Sequence, residues 1–519
     1  MSSTGVASEQ PESSNIARLL RDSTAEHPGR PALVDADGRA RFTFAELTER
    51  VARVAAELVG RDLEPGGRVA LLVRDREEAL IPAMAALWAG GTLVTPPRAG
   101  TWRVVLTAAA RDRPAAVVAD PSTWLLAAVV HGLRSAPIRI VTGRRSWPGL
   151  VGLVDLASRV GHDGPPALDE PVPRSANSPA FVSWTTGTTG LPRAVVRTHG
   201  VLAAQHAAIR ALRAPRPGDV DLAGLPNIAL HDLACGVAIL VPPRADAGRG
   251  AAPLHAVAAR AGVTTAAGFP TLFERLVEGA PGAALPVLRA ILIGGAPVRP
   301  DLLDRLGAVA PNATVTVVYG ATEVEPITAI EAADLRSSAA AGTPGRGLLV
   351  GRLCDGIELR FAPLEERTGE RPASPATRGR ILVRGPRVAD DPDRSDADGW
   401  LDTGDVGALD ADRRLWLLGR ASNALPGGVL PAEIEEPVAA LGDVGGAAVV
   451  SLPGGDGPRA MLAVEPASTA VASDAVRARV AALSSARGWH LDGVVVVRRL
   501  PRDGASGKVD YRRLRALVR

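Results

Sequence analysis

The sequence predicts an α/β protein with a large layered domain followed by a smaller α+β domain. Short apolar strands alternate with helical patterns at βαβ spacing over residues 42–141, which favours parallel strands covered by helices. The 519 residues are too many for one ordinary domain, and 46% of them are hydrophobic, enough for a large core. Apolar strands and one helix crowd together after residue 440, which indicates the smaller domain.

The first predicted helix, residues 42–60, shows how the elements are assigned. Thr43 and Glu46 can form a capping box at its start, and apolar side chains recur on one face from Leu47 to Leu58. The polar, Pro- and Gly-rich residues 161–177 are expected to form a surface connection. The other elements predicted before it are strand 68–73, helix 77–87, strand 92–95, helix 104–110, strand 115–119 and strand 138–141.

A segment rich in glycine and threonine follows the next buried strand. The apolar run 180–184 ends in Thr185-Thr186-Gly187-Thr188-Thr189-Gly190, and Arg193 precedes a second β-branched run at residues 195–196. The two glycines permit positive φ, so successive N–H groups can face one concavity lined by hydroxyls and a cation. We therefore expect a phosphate-binding loop, although an ordinary hairpin turn is the alternative. The spacing fits neither the P-loop nor the dinucleotide-binding pattern.

The second half of the chain continues the alternation. We expect a helix over residues 201–212, with His199 at its start rather than acting as a base, and a surface loop over residues 332–347. Strands are predicted at residues 288–293, 314–318 and 415–418, and the smaller domain is predicted from strands 444–450, 461–464 and 493–497 with helix 473–485.

Composition and charge exclude several classes of function. The 59 basic and 56 acidic residues are interspersed, so nucleic-acid binding is not expected. Cys235 and Cys354 are far apart, which argues against a disulfide framework or a zinc site and favours the reducing cytoplasm. Residues 1–14 are expected to be a disordered lead rather than a signal peptide, and the apolar residues 80–93 are too few to span a membrane.

The chain contains one lysine, Lys508. It is one of 59 basic residues, so the other 58 are arginine, as expected where arginine has replaced lysine wherever charge alone matters. Lys508 then marks a position that arginine does not serve, because a compact ammonium on a flexible stem differs from a planar guanidinium. A stray lysine near the carboxyl end is the alternative.

Six segments, in order along residues 15–519, resemble the motifs of the adenylate-forming (ANL) superfamily, which includes acyl-CoA synthetases, peptide-synthetase adenylation domains and luciferases. The resemblance implies an AMP-binding domain over residues 15–419 and a lid domain over residues 420–519. The segment 225–236 is most similar to the olefin β-lactone synthetase branch, which activates β-hydroxy acids. The six segments are residues 185–194, 225–236, 294–297, 319–323, 399–405 and 500–514.

The resemblance implies an ATP- and Mg²⁺-dependent ligase that forms an acyl adenylate and releases pyrophosphate. Tyr319 is expected to stack on adenine, Asp405 to accept the ribose hydroxyls and Glu323 to hold Mg²⁺. Lys508 falls on the family's catalytic lysine. The implied catalytic residues are Lys508, Thr322 and Glu323; the implied nucleotide-binding residues are Thr185, Thr186, Gly187, Thr188, Thr189, Gly190, Arg193, Gly294, Gly295, Ala296, Pro297, Tyr319, Gly320, Ala321, Asp405 and Arg420; and the implied substrate pocket is Ala229, His231, Gly295 and Gly320.

The chain departs from the family pattern in ways that leave the acceptor of the adenylate open. Arg193 and Ala194 stand where lysine and glycine are usual, and Ser422 stands at the expected hinge. The loop over residues 421–435 is shorter than usual, which puts transfer to coenzyme A in question.

Coenzyme A, an internal β-hydroxyl and an amine therefore all remain open as acceptors, and the sequence does not give the acid or the oligomeric state. For His231, the alternative to a pocket residue is a partly buried, hydrogen-bonded histidine. The motifs would also suit a nucleotide-binding protein without catalysis, or a phosphotransferase that makes ADP.

Overall fold

The computed structural model forms two compact units, each continuous in space but not in sequence. The first comprises Met1–Ala267, Thr322–Glu325 and Pro386–Asp391, and the second comprises Gly268–Ala321, Pro326–Gly385 and Pro392–Arg519. The residues that the structure describes are 14–96, 102–142, 151–152, 166–186, 192–243, 252–278, 284–340, 347–364, 377–425, 429–454, 459–468, 471–502 and 509–519. The predicted lead over residues 1–14 lies outside them except for Ser14.

The first unit consists of mostly parallel strands covered by helices. One sheet has the order β7-β6-β5-β3-β4-β8-β9 and is parallel except for the hairpin at one edge, while the β12-β10-β11-β1 set is parallel with β2 antiparallel beside it. This arrangement confirms the predicted layered α/β class. The strands are β1 (Pro31–Val34), β2 (Ala40–Thr43), β3 (Arg68–Leu72), β4 (Thr92–Thr95), β5 (Ala116–Ala119), β6 (Ile138–Val141), β7 (Val151–Gly152), β8 (Pro179–Thr186), β9 (Pro192–Thr198), β10 (Val220–Ala223), β11 (Ala238–Leu240) and β12 (Thr265–Gly268). The helices are α1 (Arg18–Glu26), α2 (Phe44–Gly60), α3 (Leu80–Trp88), α4 (Trp102–Arg111), α5 (Pro121–Ala127), α6 (His131–Arg134), α7 (His199–Arg213), α8 (Pro226–Leu233) and α9 (Leu254–Arg260).

Helix α2 shows how local sequence leads to packing. The Glu46 N–H donates to Thr43 Oγ1 at 3.2 Å and the Thr43 N–H donates to the Glu46 carboxylate at 2.9 Å, so the predicted capping box is present. Leu47 and Val51 are fully buried in one core with Trp88. Burying each such aliphatic side chain stabilises the fold by about 1.5–3 kcal/mol.

The second unit carries an antiparallel sheet region and a separate three-stranded sheet. The order of the former is β17-β18-β19-β20-β16-β15-β14-β13, in which β13 and β14 are parallel, and the order of the latter is β21-β22-β23. The strands are β13 (Ala290–Gly294), β14 (Thr314–Ala321), β15 (Val324–Glu331), β16 (Leu348–Leu353), β17 (Glu358–Ala362), β18 (Arg378–Arg384), β19 (Leu401–Leu409), β20 (Leu415–Arg420), β21 (Val444–Leu452), β22 (Arg459–Pro466) and β23 (Gly493–Val496). The helices are α10 (Pro270–Val277), α11 (Pro300–Val309), α12 (Ala332–Ala340), α13 (Pro431–Ala439), α14 (Ser473–Arg487) and α15 (Tyr511–Leu517), with a 3₁₀ turn at Ala421–Asn423.

The three-stranded sheet is the small α+β element that the sequence predicts at the carboxyl end. Side chains on β21 alternate between its two faces. Val449 packs with Val476 and Val480 of α14, whereas Val450 packs with Leu514 of α15. A helix therefore covers each face of the sheet.

The surface loop predicted over residues 332–347 is wrong for its first part. Ala332–Ala340 forms helix α12, while residues 341–346 lie outside the described residues. Ala332 and Leu335 lie one turn apart and are both buried, and the Arg336 guanidinium donates to the Leu303 carbonyl at 2.8 Å. A run of small residues suggests a flexible loop, but alanine is the best helix former, and this helix has a core to pack against.

The described helices include none that is both long and apolar enough to cross a membrane.

Candidate functional site

The glycine- and threonine-rich segment is carried by a β-hairpin. Strands β8 and β9 pair antiparallel up to Thr185 opposite Arg193 and Thr186 opposite Pro192. The predicted loop residues Gly187, Thr188, Thr189 and Gly190 lie outside the described residues, as do the side chains of Thr185 and Thr186. The hairpin fixes both ends of the loop, and phosphate binding by the loop stays a prediction.

Arg193, at the base of this loop, is held between two carboxylates. One terminal nitrogen pairs with Glu323, and the other lies 2.6 Å from Asp391 Oδ2. Both acids are buried, whereas about a quarter of the arginine side chain is exposed. The structure thus brings together two predicted site residues, Arg193 and Glu323, and adds a third residue that the sequence did not identify.

Backbone contacts fix the two acids relative to each other. Thr322 and Glu323 form the tight turn between β14 and β15, as their position between two strands requires. The Ala389 N–H donates to the Glu323 carbonyl at 2.7 Å, and Val388 pairs antiparallel with Val324. The segment that carries Asp391 is therefore tied to the turn that carries Glu323. No motif in the sequence distinguishes Asp391 from Asp390.

Arg197 is a second residue that the sequence reasoning missed. It is buried, its guanidinium lies 4.5 Å from the Phe181 ring centroid, and it donates to Ser183 Oγ at 2.5 Å. Burial lowers the pKa of Arg197, and the charges of Glu325 and Glu323 oppose that change. A signal was present, because strand periodicity places Arg197 on the same face as the buried Val195.

In the second unit, two predicted segments begin at the same end of a parallel strand pair. Gly294, the last residue of β13, pairs with Val318 of β14. Residues 295–297 therefore leave the sheet at the level where residues 319–321 complete β14. Gly295 has φ of +79°, and a Cβ there would lie 2.5 Å from Phe269 Cε1. A side chain at this φ would be strained and would have to displace the Phe269 ring, so glycine leaves bare backbone where contact with the nucleotide is predicted.

Tyr319, Asp405 and Arg420 meet as one polar cluster. The Tyr319 hydroxyl donates to Asp405 Oδ2 at 2.7 Å, and Arg420 Nε lies 2.9 Å from Asp405 Oδ1. Arg420 also donates to the Thr403 carbonyl at 3.1 Å. Burial, reinforced by Asp405, raises the pKa of Tyr319 well above its usual value. The phenol therefore stays protonated and remains a donor to the carboxylate.

The predicted substrate-pocket residues are divided between the units. Ala229 and His231 lie on α8 of the first unit and are both buried, while Gly295 and Gly320 belong to the second unit. The His231 ring stacks on His206 with centroids 5.4 Å apart, and burial lowers the pKa of His231 to about 3. His231 is therefore a neutral, buried imidazole, and its role in a pocket stays a prediction.

His199 is the first residue of α7, at the helix start expected from the sequence. Its ring is fully buried, and its Nδ1 accepts the Ile16 N–H at 3.1 Å. Burial lowers the pKa of His199 to about 4, so it is neutral at pH 7. These contacts give the imidazole a structural task.

Lys508 lies outside the described residues, but both ends of its segment are fixed. Arg502 pairs antiparallel with Val509, and the Asp510 N–H donates to the Pro501 carbonyl at 2.9 Å. Asp510 also caps α15 by accepting the N–H groups of Arg512 and Arg513. The residues on either side of the segment that holds the lysine are therefore paired with each other.

The acids beside Arg193 suit a hard cation that shares its ligands with a phosphate group. Mg²⁺ prefers carboxylate and phosphate oxygens, and Glu323 and Asp391 offer carboxylates beside a predicted phosphate loop. Among the described residues, no group of three or more His, Cys, Asp or Glu side chains is arranged to hold a metal by itself.

Comparison with known proteins agrees with this geometry. The sequence profile of the family described as AMP-binding enzyme matches residues 20–390. An olefin beta-lactone synthetase of Xanthomonas campestris is 30% identical over 461 residues, covering 82% of this chain and 82% of that protein. The 4-coumarate–CoA ligase 5 of Oryza sativa is 27% identical over 457 residues, covering 82% and 80%.

A solved structure also matches nearly the whole chain. The ATP-bound crystal structure of MatB from Rhodopseudomonas palustris has a TM-score of 0.78 and 25% identity, covering 98% of this chain and 99% of that one. The profile spans well over half of the chain, and the relatives extend the likeness into the carboxyl-terminal region. The chain therefore belongs to the AMP-binding enzyme family and is an ATP-dependent, AMP-forming ligase of the adenylate-forming superfamily.

Proposed function

We propose that this ligase activates a β-hydroxy carboxylic acid as its adenylate and then closes the adenylate to a β-lactone without coenzyme A. The observation that carries the activation step is the pairing of Arg193 with Glu323 and Asp391 at the base of the threonine-rich hairpin. This pairing sets a cation and two carboxylates beside a loop suited to phosphate.

In the proposed first step, a substrate carboxylate oxygen attacks the α-phosphorus of ATP. The bond from that phosphorus to the bridging oxygen of the β-phosphate breaks, and pyrophosphate leaves. Arg193 and the hydroxyls of the loop bind the departing phosphates, and Glu323 would hold Mg²⁺, which supplies neutralisation of phosphate charge. Lys508 bridges the carboxylate and the α-phosphate. Positioning and charge stabilisation account for such catalysis.

The nucleoside is assigned to the Tyr319–Asp405–Arg420 cluster. One oxygen of Asp405 accepts a hydrogen bond from the Tyr319 hydroxyl, and the other pairs with Arg420. Both oxygens therefore face hydrogen-bond donors, and ribose hydroxyls are donors as well. The backbone at Gly294 and Gly295 offers a flat approach for the base. The domain boundary between residues 419 and 420 is part of this proposal, and it falls at the last residue of β20, just before the 3₁₀ turn at Ala421–Asn423.

In the proposed second step, the β-hydroxyl oxygen attacks the acyl carbonyl carbon. The bond from that carbon to the phosphate oxygen breaks, AMP leaves, and the hydroxyl proton passes to solvent. Two observations favour this acceptor over coenzyme A. One is the likeness to an olefin beta-lactone synthetase. The other concerns the segment over residues 421–435, which is shorter than the family pattern. Its Leu425 N–H donates to the Val429 carbonyl at 2.8 Å, and Leu425 is buried with Ile434, so these residues are held in the fold.

The test is product identification by mass after incubation with ATP, Mg²⁺ and a panel of β-hydroxy and plain acids, with and without coenzyme A. AMP with a product equal to the acid minus water, independent of coenzyme A, supports both steps. AMP with an acyl-CoA supports the first step and overturns the second, and an amide formed with an added amine would do the same. ADP would overturn the first step.

Lys508 is tested by Lys508→Ala with Lys508→Arg as the charge-preserving control. We expect the alanine variant to lose about 10²–10³-fold in AMP formation, the usual cost of one charge-stabilising donor. Arginine occupies every other Lys or Arg position of the chain. If Lys508→Arg is as impaired as Lys508→Ala, the shape of the ammonium group matters as well as its charge. Near-wild-type adenylation by Lys508→Ala would refute the assigned role.

A further inference from the structure

The Arg193 guanidinium uses its two terminal nitrogens for two different acids. Glu323 takes one nitrogen and Asp391 takes the other. A planar fork can serve two fixed acceptors at once, whereas the single ammonium of a lysine presents one compact charge. An arginine at this position can therefore bind a second carboxylate while it remains paired with the first.

Asp391 is delivered to this site by a segment remote in sequence. Pro386–Asp391 is tied to the 322–325 turn by the Val388–Val324 bridge and the Ala389–Glu323 hydrogen bond. Within that segment Asp391 is buried while Asp390 is exposed. Burying a carboxylate is costly unless it is paired, and the ion pair with Arg193 offsets the cost of burying Asp391.

We propose that Asp391 is a positioning residue that holds Arg193 for ATP binding. This inference rests on the proposed nucleotide role of Arg193 and Glu323. If Glu323 turns to a metal cation, Arg193 loses one of its two acids, but Asp391 still holds the other side of the guanidinium beside the hairpin. The nitrogen that faced Glu323 is then directed toward a phosphate oxygen. Without Asp391, the arginine has to be ordered at the moment of binding, which costs side-chain entropy.

The experiment compares Asp391→Asn with Asp390→Asn, which makes the same chemical change one residue away. Calorimetric titration with ATP and Mg²⁺, in the absence of any acid, measures the Kd of each folded variant. We expect Asp391→Asn to weaken ATP binding about tenfold, as for one hydrogen bond to a charged group. Asp390→Asn should match the wild type. In steady-state assays the KM for ATP should rise with the Kd, while the KM for the acid stays unchanged.

Two further variants separate positioning from a general structural role. Asp391→Glu keeps the charge and should recover part of the ATP affinity. Arg193→Lys removes the fork, so adding Asp391→Asn to it should weaken ATP binding by much less than tenfold, a coupling that a double-mutant cycle measures. If the effect of Asp391→Asn is the same in both backgrounds, or equals that of Asp390→Asn, the inference is wrong.

The same titration distinguishes this inference from the proposed function. A wild-type chain that binds no ATP under these conditions would overturn the proposed function. A wild-type chain that binds ATP only as tightly as Asp391→Asn would leave the proposed function standing and overturn only the role of Asp391. Thermal unfolding shows whether each variant is folded. If Asp391→Asn does not fold, the ATP affinity of Asp391→Glu relative to the wild type decides whether Asp391 positions Arg193.

Discussion

Two clusters in the first unit each hold one arginine between two carboxylates, but they differ in their exposure to water. Arg213 lies between Asp221 and Asp232, and their side chains are 4%, 0% and 2% exposed. Arg193 lies between Glu323 and Asp391, and their side chains are 27%, 6% and 8% exposed. Each arginine gives one terminal nitrogen to each acid, so the difference between the clusters lies in access to water.

The difference determines what each cluster can do. At the inner cluster, burial alone would lower the pKa of Arg213, but Asp221 and Asp232 outweigh it and raise the pKa. Burial raises the pKa of Asp232 well above its usual value although Arg213 opposes this. Two acids thus share one guanidinium, and burial favours the protonated form of Asp232. Exchanging a partner in the buried cluster would leave a charge without compensation, which is costly. The outer cluster is partly open to water, and it is the one proposed to exchange an acid for a phosphate.

The largest expected effect comes from Arg213→Ala. Removing the only cation of a fully buried cluster leaves Asp221 without its counter-charge, so we expect a loss of about 3–5 kcal/mol in the free energy of unfolding. Urea-induced unfolding measures it, with Arg210→Ala on the exposed side of the same helix as the control. If the two variants are equally stable, the inner cluster is not structural.

The matched change at the outer cluster, Arg193→Ala, should act on catalysis instead. We expect kcat/KM for AMP formation to fall by about 10²–10³-fold, as for the loss of one charge-stabilising donor. The loss of stability should be smaller than in Arg213→Ala, since water reaches the vacated position. Activity assays and the same urea series test this. A variant that is unstable but fully active while folded would reverse the assignment.

Glu435 is a buried carboxyl in the second unit whose hydrogen-bond donors are an amide and a phenol. It accepts from the Val449 N–H at 2.7 Å and lies 3.5 Å from the Tyr511 hydroxyl, and burial raises its pKa from 4.5 to about 7. Between these two pKa values the folded chain keeps a proton that the unfolded chain releases. Stability therefore falls as pH rises through this window, by roughly 3 kcal/mol at most.

Glu435→Gln removes this titration, so the variant should gain stability over the wild type at pH 8 and differ little at pH 5. Thermal unfolding at both values tests it, with the pH 5 pair as the internal control. A stability difference that does not change with pH would contradict the expectation.

The smallest expected effect is that of Asp232→Asn. Because burial favours a proton on Asp232, the neutral amide resembles the favoured form of the acid, and we expect a change of less than about 1 kcal/mol in the free energy of unfolding. Asp221→Asn is the comparison, since Asp221 accepts from both Arg213 and Thr265 and should cost more. Equal losses in the two variants would mean that the proton is not on Asp232.

Local patterns predicted most of the fold. The capping box at Thr43 and the alternation along β21 depend on neighbours within a few residues, so the sequence alone sufficed. The helix at Ala332–Ala340 was missed because its buried contacts come from elsewhere in the fold. The family resemblance brought Arg193 and Glu323 into one expected site, and their pairing agrees with it.

The remaining parts of the site depend on distant pairing. Asp391 has no motif, and only the bridge between residues 324 and 388 brings it to Arg193. Strand periodicity predicts that Arg197 is buried, but it does not predict that Glu323 and Glu325 lie near it. The roles of Lys508, of the loop at residues 187–190 and of the acid pocket remain predictions, as does the cytoplasmic location.

The order in which the chain is made gives the two arginine clusters different histories. The first unit is assembled from three stretches, and the last ends at Asp391. A ribosome adds about 5–20 residues per second, so Asp391 follows residue 267 by on the order of ten seconds. By then Arg213 has long had Asp221 and Asp232 within reach, whereas Arg193 waits for both of its acids. A nascent chain can thus complete its inner cluster before the outer cluster has either of its acids.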